Sequence, residues 1–175
     1  MLGNRILVLG SPGSGKSTFA IKLSKNLQLP LIHLDKEYWL PNWEEPQKID
    51  WEEKQHTLVL EECWIIDGTY ANSLDIRLAK ADTVILLDIN KWVCLFRVIK
   101  RLITNKGKTR ADMGADCEEI FDFSFLQYIW TFHEKKQTSN ILQKVKSYPA
   151  IQLVSLKTLR EIKLFFKTLE EKQCI

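Results

Sequence analysis

Gly10-Ser11-Pro12-Gly13-Ser14-Gly15-Lys16-Ser17 decides how the rest of the chain is understood. It follows the apolar run Ile6-Leu7-Val8-Leu9 and precedes Phe19, Ala20, Leu23 and Leu27, which recur at helical spacing. A continuous apolar run predicts a strand buried on both faces, and the later spacing predicts a helix. The glycines let the chain turn tightly, so that several backbone N–H groups converge as an anion nest. The positive end of the following helix adds to that nest. The spelling GxxxxGK[ST] arises by chance in roughly 4 × 10⁻⁵ of windows at ordinary residue frequencies. Gly10, Ser11, Gly13, Ser14, Gly15, Lys16, Ser17 and Thr18 are therefore candidate phosphate-binding residues. Lys16 is placed to reach the β- and γ-phosphates of ATP, and the Ser17 hydroxyl to ligate Mg²⁺.

Further along, Leu31-Ile32-His33-Leu34, Trp64-Ile65-Ile66, Thr83-Val84-Ile85-Leu86-Leu87 and Ile151-Gln152-Leu153-Val154 predict four more strands. Helices are expected between them: one with Trp92, Leu95, Phe96, Ile99, Leu102 and Ile103 sharing one face and Arg97 and Arg101 opposite, one over 125–132, one near 141–145, and a last one from Leu159. The alternation predicts an α/β fold with a parallel sheet and right-handed crossovers. Residues 36–60 and 104–124 break the alternation and read as insertions at the carboxyl ends of strands, where ligands bind in open α/β sheets.

Two carboxylates stand at those strand ends. Asp67 is expected to support Mg²⁺ through water, or to cap the loop before Gly68. Asp35 is expected to act as general base for an acceptor hydroxyl, or to cap its strand. Gly68 follows Asp67 where hydrolytic motor ATPases place a Glu, and the GTPase signatures NKxD and DxxG are missing, so the spelling leans towards transfer to another acceptor. Lys91, Arg97, Lys100, Arg101, Lys106, Lys108 and Arg110 form a basic run free of acids from Ile89 to Ala111. It reads as the solvated face of a helix, as a nucleic-acid patch, or as a lid in which Arg97 and Arg101 clamp the transferring phosphoryl group. Tyr38, Trp39, Trp43 and Trp51 either stack an acceptor under a flap or fill a small core. Asp35, Trp39, Tyr70 and Arg77 are the candidate acceptor-binding residues; Arg77 binds an acceptor's anion or pairs with Asp75 or Asp82. Ser155 lies where a nucleotide base is expected, or caps the last helix.

At 175 residues the chain amounts to about one domain, and 45% hydrophobic with 27% charged residues excludes a disordered chain. The net charge of +3 does not by itself support DNA as a partner. No run approaches the ~18 apolar residues of a membrane span, and the N-terminus lacks a signal-peptide pattern. The four cysteines are scattered without a CxxC, which argues against a zinc site or a disulfide framework. A cytoplasmic location is expected, and a monomer and a homodimer are both compatible with the sequence.

The phosphate loop, Ile32-His33-Leu34-Asp35-Lys36, Trp64-Ile65-Ile66-Asp67-Gly68-Thr69-Tyr70, Leu74-Asp75-Ile76-Arg77-Leu78, Ala81-Asp82-Thr83-Val84-Ile85, Thr109-Arg110-Ala111-Asp112-Met113 and Phe125-Leu126-Gln127-Tyr128-Ile129-Trp130, taken in order, resemble the bacterial DNA topology modulation protein family of adenylate-kinase-like P-loop kinases. The resemblance implies a three-layer P-loop NTPase fold over residues 1–175, with a five-stranded parallel sheet in the order 2-3-1-4-5. It also implies Mg-ATP, an acceptor flap at about 36–60 after strand two, and a lid at about 97–115 after strand four. Thr69-Tyr70-Ala71 departs from the Phe-Pro-Arg of adenylate kinases at this place. The expected activity is γ-phosphoryl transfer from Mg-ATP to a small acceptor, nucleosides and nucleotides among the candidates. The competing expectation is a nucleotide-binding regulator affecting DNA topology, and a third is a scaffold with a vestigial loop.

Overall fold

The computed structural model describes residues 2–105, 112–114, 116–117, 123–134 and 137–173. Five strands form one sheet: β1 (Arg5–Gly10), β2 (Leu31–His33), β3 (Trp64–Asp67), β4 (Thr83–Leu87) and β5 (Gln152–Leu156). Their spatial order is β2-β3-β1-β4-β5, and every pairing is parallel. The helices are α1 (Lys16–Leu27), α2 (Leu34–Tyr38), α3 (Lys48–Leu58), α4 (Leu74–Leu78), α5 (Lys91–Thr104), α6 (Phe123–Glu134), α7 (Gln137–Lys146) and α8 (Leu159–Gln173), with 3-10 turns at Pro41–Trp43 and Ala71–Ser73. The strand order is the one implied by the resemblance.

The three layers follow from the period of two in a strand. Ile6 and Val8 of β1 point to the face covered by Phe19 and Leu23 of α1, Cys94 and Val98 of α5, Ile129 of α6 and Phe166 of α8. Leu7 and Leu9 point to the other face, against Trp51 of α3, Leu74 and Leu78 of α4, and Ile141 and Val145 of α7. Since β1 is central, both of its faces need apolar residues, which is why Ile6–Leu9 runs without interruption. Each such side chain contributes roughly 1.5–3 kcal/mol on burial.

Three sequence expectations are corrected here. The second strand ends at His33, and Leu34 and Asp35 begin α2. The inner stripe of α5 is Cys94, Val98 and Leu102, whereas Phe96 is 68% and Ile103 75% exposed. The reason is the phosphate loop: a Cβ on Gly13 would collide with the Cys94 carbonyl, so the α5 backbone lies directly on that glycine. This orientation turns Arg97 and Arg101 towards the loop rather than away from the core. Finally, Ser155 is an exposed residue inside β5, and Thr158 caps α8. The Thr158 hydroxyl accepts from the Glu161 amide (3.1 Å) while Glu161 accepts from the Lys157 amide (2.7 Å), a reciprocal box.

Residues 36–60 fold as the rest of α2, the turn at Pro41–Trp43 and α3. Lys106, Lys108 and Arg110 lie outside the described residues. Cys63, Cys94 and Cys117 are free thiols. Among the described residues, no helix is long and apolar enough to cross a membrane.

Candidate active site

The parallel register brings the ends of three strands together. Val8 of β1 and His33 of β2 both stand opposite Asp67 of β3. The chain leaving β1 becomes the phosphate loop, so the His33–Asp67 pair sits beside it. Gly13 (φ 78°) and Gly15 (φ 94°) hold left-handed conformations that side chains oppose. The Ser14 amide donates to the Ser11 carbonyl at 3.2 Å, closing the turn. Lys16 Nζ donates to the same carbonyl at 3.0 Å, which folds the lysine back over the loop. Gly15 caps α1 without any side-chain hydrogen bond, and the first turn of α1 carries no acid. The start of α1 is thus left for an external anion.

Arg97 reaches the loop from α5, its Nη1 donating to the Ser14 carbonyl at 3.1 Å. Arg101 lines the same cleft one turn further on, with its guanidinium 6.0 Å from the Phe125 ring. Ser11 donates to the Cys94 thiol at 3.3 Å, a second tie between loop and α5. Burial pushes that thiol's pKa up, so Cys94 packs as a neutral group.

Asp67 is buried. Its Oδ2 pairs with His33 Nδ1 at 3.0 Å, while its Oδ1 is buried without a hydrogen-bond partner, as is the Ser14 hydroxyl. A carboxylate oxygen left unsatisfied in the interior is costly, and a hydrated Mg²⁺ offers the donors it lacks. The donor set therefore fits the metal, with Ser17 and Asp67 as the residues that would hold it. His33 escaped the sequence reading. Its hydrogen bond to the Asp67 carboxylate raises its pKa, burial opposes, and the charges of Asp67, Asp112 and Asp35 add to the rise.

Asp35 lies in the first turn of α2 and accepts a 2.8 Å hydrogen bond from the Tyr70 hydroxyl. Burial and Asp35 push the Tyr70 phenol up, so it remains a donor at all ordinary pH. Tyr70 has a left-handed backbone (φ 34°), which a tyrosine does not adopt unaided. Arg77 fixes it. Its guanidinium donates to the carbonyls of Gly68 (2.8 Å), Thr69 (2.8 Å) and Tyr70 (2.9 Å). Arg77 is 0% exposed, and burial pulls its pKa down to about 9, so it is still charged at neutral pH. This corrects the expectation that Arg77 binds an acceptor's anion or pairs with Asp75 or Asp82. Lys144 takes Asp75 and Arg5 takes Asp82. Thr69 completes the connection: its hydroxyl donates to the Gly10 carbonyl at 2.8 Å and accepts from the Gly10 amide at 3.2 Å. Asp35 is thereby tied through Tyr70, Arg77 and Thr69 to the first residue of the phosphate loop.

The aromatic residues divide. Trp51 is buried in the core, whereas Tyr38, Trp39, Trp43 and Tyr70 line the cleft. Tyr38 packs 4.8 Å from Tyr70 and 5.0 Å from Trp39, and Trp39 lies 5.3 Å from Trp43, which makes one continuous wall. The cleft measures about 1380 Å³ and holds the loop, Arg97, Arg101, Asp35 and that wall in one space. Ser155 is not among its lining residues.

No protein-family model matches the chain, and no curated protein matches it. Among solved structures it is similar to deoxyadenosine kinase from M. mycoides with bound dATP. That similarity spans 94% of this chain and 98% of the other, at 16% identity and a TM-score of 0.48.

Proposed function

We propose that this chain transfers the γ-phosphoryl group of Mg-ATP to a hydroxyl of a small acceptor. The observation that carries the reading is that one cleft joins an uncapped phosphate loop to a carboxylate held by a tyrosine. A nucleotide-operated switch has no use for Asp35 and its aromatic wall. Gly10, Ser11, Gly13, Ser14, Gly15 and Thr18 would cradle the phosphates with their amides and hydroxyls. Lys16 would exchange its bond to the Ser11 carbonyl for the β- and γ-phosphates. Mg²⁺, when bound by Ser17 and through water by Asp67, supplies neutralising charge at those phosphates. Asp35 would accept the proton of the attacking hydroxyl as its oxygen bonds to phosphorus and the bond to the bridging oxygen of ADP breaks. Arg97 and Arg101 would stabilise the charge that develops on the moving group. Segment 36–60 then serves as acceptor flap and 97–115 as lid.

The test is ADP release by the purified chain with and without nucleosides, nucleotides and small alcohols. Acceptor-dependent release supports transfer. Stimulation by DNA alone overturns it in favour of the regulator. Two further results are expected. Mg-ATP at a hundred times its Kd stabilises the fold by about 2.7 kcal/mol, read as a rise in Tm, and Lys16→Ala abolishes most of that protection. Arg101→Ala lowers kcat at least tenfold, roughly the loss of one charge-stabilising contact in transfer, with Tm preserved.

A further inference from the structure

The side of α5 that the core does not use has an order of its own. Trp92, Phe96, Ile99 and Ile103 are large apolar side chains, yet they are 59%, 68%, 38% and 75% exposed. They follow one another at spacings of four, three and four residues. At 3.6 residues per turn this puts them in one stripe about 60° wide. A stripe that repeats every 3.5 residues on average is the seam by which one helix packs along another. Trp92 is also held in a fixed pose. Its ring meets Trp130 of α6 edge-on at 5.0 Å, and Lys91 Nζ lies 4.1 Å from the centre of the Trp130 ring. Arg97 and Arg101 leave the other side of the same helix towards the phosphate loop, so the seam faces away from the cleft.

We propose that this seam joins two copies of the chain, α5 against α5, antiparallel about a twofold axis. The pairing does not rest on the phosphotransfer reading. The seam suits a copy of itself because its first half is aromatic and its second half aliphatic. A twofold axis set between Phe96 and Ile99 brings Trp92 to the partner's Ile103 and Phe96 to the partner's Ile99. A broad ring then meets a branched side chain at every layer, and each contact occurs twice. A parallel pairing would instead set each aromatic ring against its own symmetry mate. The cations of α5 do not oppose the pairing. Arg97 donates to the Ser14 carbonyl, Arg101 lines the cleft and Lys91 lies over Trp130, which leaves Lys100 at the edge of the seam. In the antiparallel register Lys100 falls beside the partner's Val93, and like charges stay apart. The area also suffices. At these exposures the four side chains present about 500 Å² on each copy, since one aromatic side chain alone buries roughly 150–250 Å². Two copies then bury about 1000 Å², the threshold of a specific interface, to which Leu95 and Trp130 add at the edges. An interface of that size predicts association in the micromolar range rather than a permanent dimer.

Sedimentation velocity of the full chain, run from about 1 to about 200 μM, tests the pairing. The mass should move from 20.5 kDa towards twice that value as concentration rises. Phe96→Glu should weaken association by about tenfold or more, because the charge enters the centre of the seam twice. A mixture tests the register. Phe96→Lys alone and Ile99→Glu alone should each stay monomeric over the same range, and mixing the two in equal amounts should restore the dimer. The cation introduced at 96 meets the anion introduced at 99 only in the antiparallel arrangement. Each variant should keep the parent's helical circular dichroism, since the replaced side chains stand outside both core clusters. Should Ile99→Glu fail to fold, Trp92→Lys mixed with Ile103→Glu makes the same comparison at the outer layer. A parent chain that stays monomeric throughout overturns the proposal and leaves the seam to a foreign helix. A dimer that survives Phe96→Glu also overturns it, by placing the interface elsewhere. Dimerisation of the parent without rescue in the mixture overturns the antiparallel pairing.

Discussion

Asp35→Asn is expected to lower kcat by about 10² to 10⁴, the range removed with a general base. The substitution keeps the size of the side chain and an oxygen to accept from Tyr70, so the 2.8 Å hydrogen bond has a successor. What disappears is the capacity to take a proton. KM for Mg-ATP should therefore stay the same, because Asp35 stands on α2, outside the phosphate loop. Single-turnover measurement with saturating Mg-ATP and acceptor separates this from a binding defect. Tyr70→Phe is the graded companion. It preserves the ring contacts to Tyr38 and to Trp51 at 5.2 Å but removes the donor, and should cost roughly five- to tenfold, one net hydrogen bond. Unchanged turnover in Asp35→Asn would return the residue to the alternative of a local cap in the first turn of a short helix.

Asp35 also shows where the sequence was readable and where it was not. The strands were legible because a sheet covered on both faces demands unbroken apolar runs, and Ile6–Leu9 or Val84–Leu87 satisfy that demand locally. The phosphate loop was legible because its glycines are required by backbone geometry rather than by distant partners. The orientation of α5 was not. Trp92, Phe96, Ile99 and Ile103 make the more apolar stripe by composition, yet the helix turns the smaller Cys94 inwards because Gly13 and the Ser14 carbonyl lie against it. That contact joins residues about eighty positions apart and leaves no periodic mark. His33 was missed for a related reason. Only the register of β2 on β3 reveals that it faces Asp67, and a lone histidine in an apolar strand carries no such label.

Arg77 is the extreme of this class, and its removal carries the largest expected loss of stability. Arginine between two aspartates reads as a surface cation, but here its cationic head is enclosed and three backbone carbonyls depend on it. Arg77→Met fills similar volume and relieves the desolvated charge, so the bare cost of burying an ion does not explain the residue. The loss comes chiefly from the carbonyls of Gly68 and Thr69, each left without its side-chain donor, whereas the Tyr70 carbonyl keeps the Ser73 amide at 3.1 Å. Hydrogen bonds to a charged donor contribute roughly 1.5–3 kcal/mol each, and release of the buried charge offsets part of their sum. A net destabilisation of about 3 kcal/mol is expected in urea unfolding, with m unchanged. Arg77→Lys should recover only a fraction, since one ammonium cannot replace a fork that spans three acceptors. The consequence for activity follows from the same geometry. With the carbonyls of Gly68 and Thr69 released, the turn that sets the left-handed backbone of Tyr70 loosens, its hydroxyl shifts from Asp35, and kcat falls while the phosphate loop still binds Mg-ATP. A variant of Arg77 that lost no stability yet weakened the acceptor's KM alone would instead mean that the guanidinium swings out to the substrate.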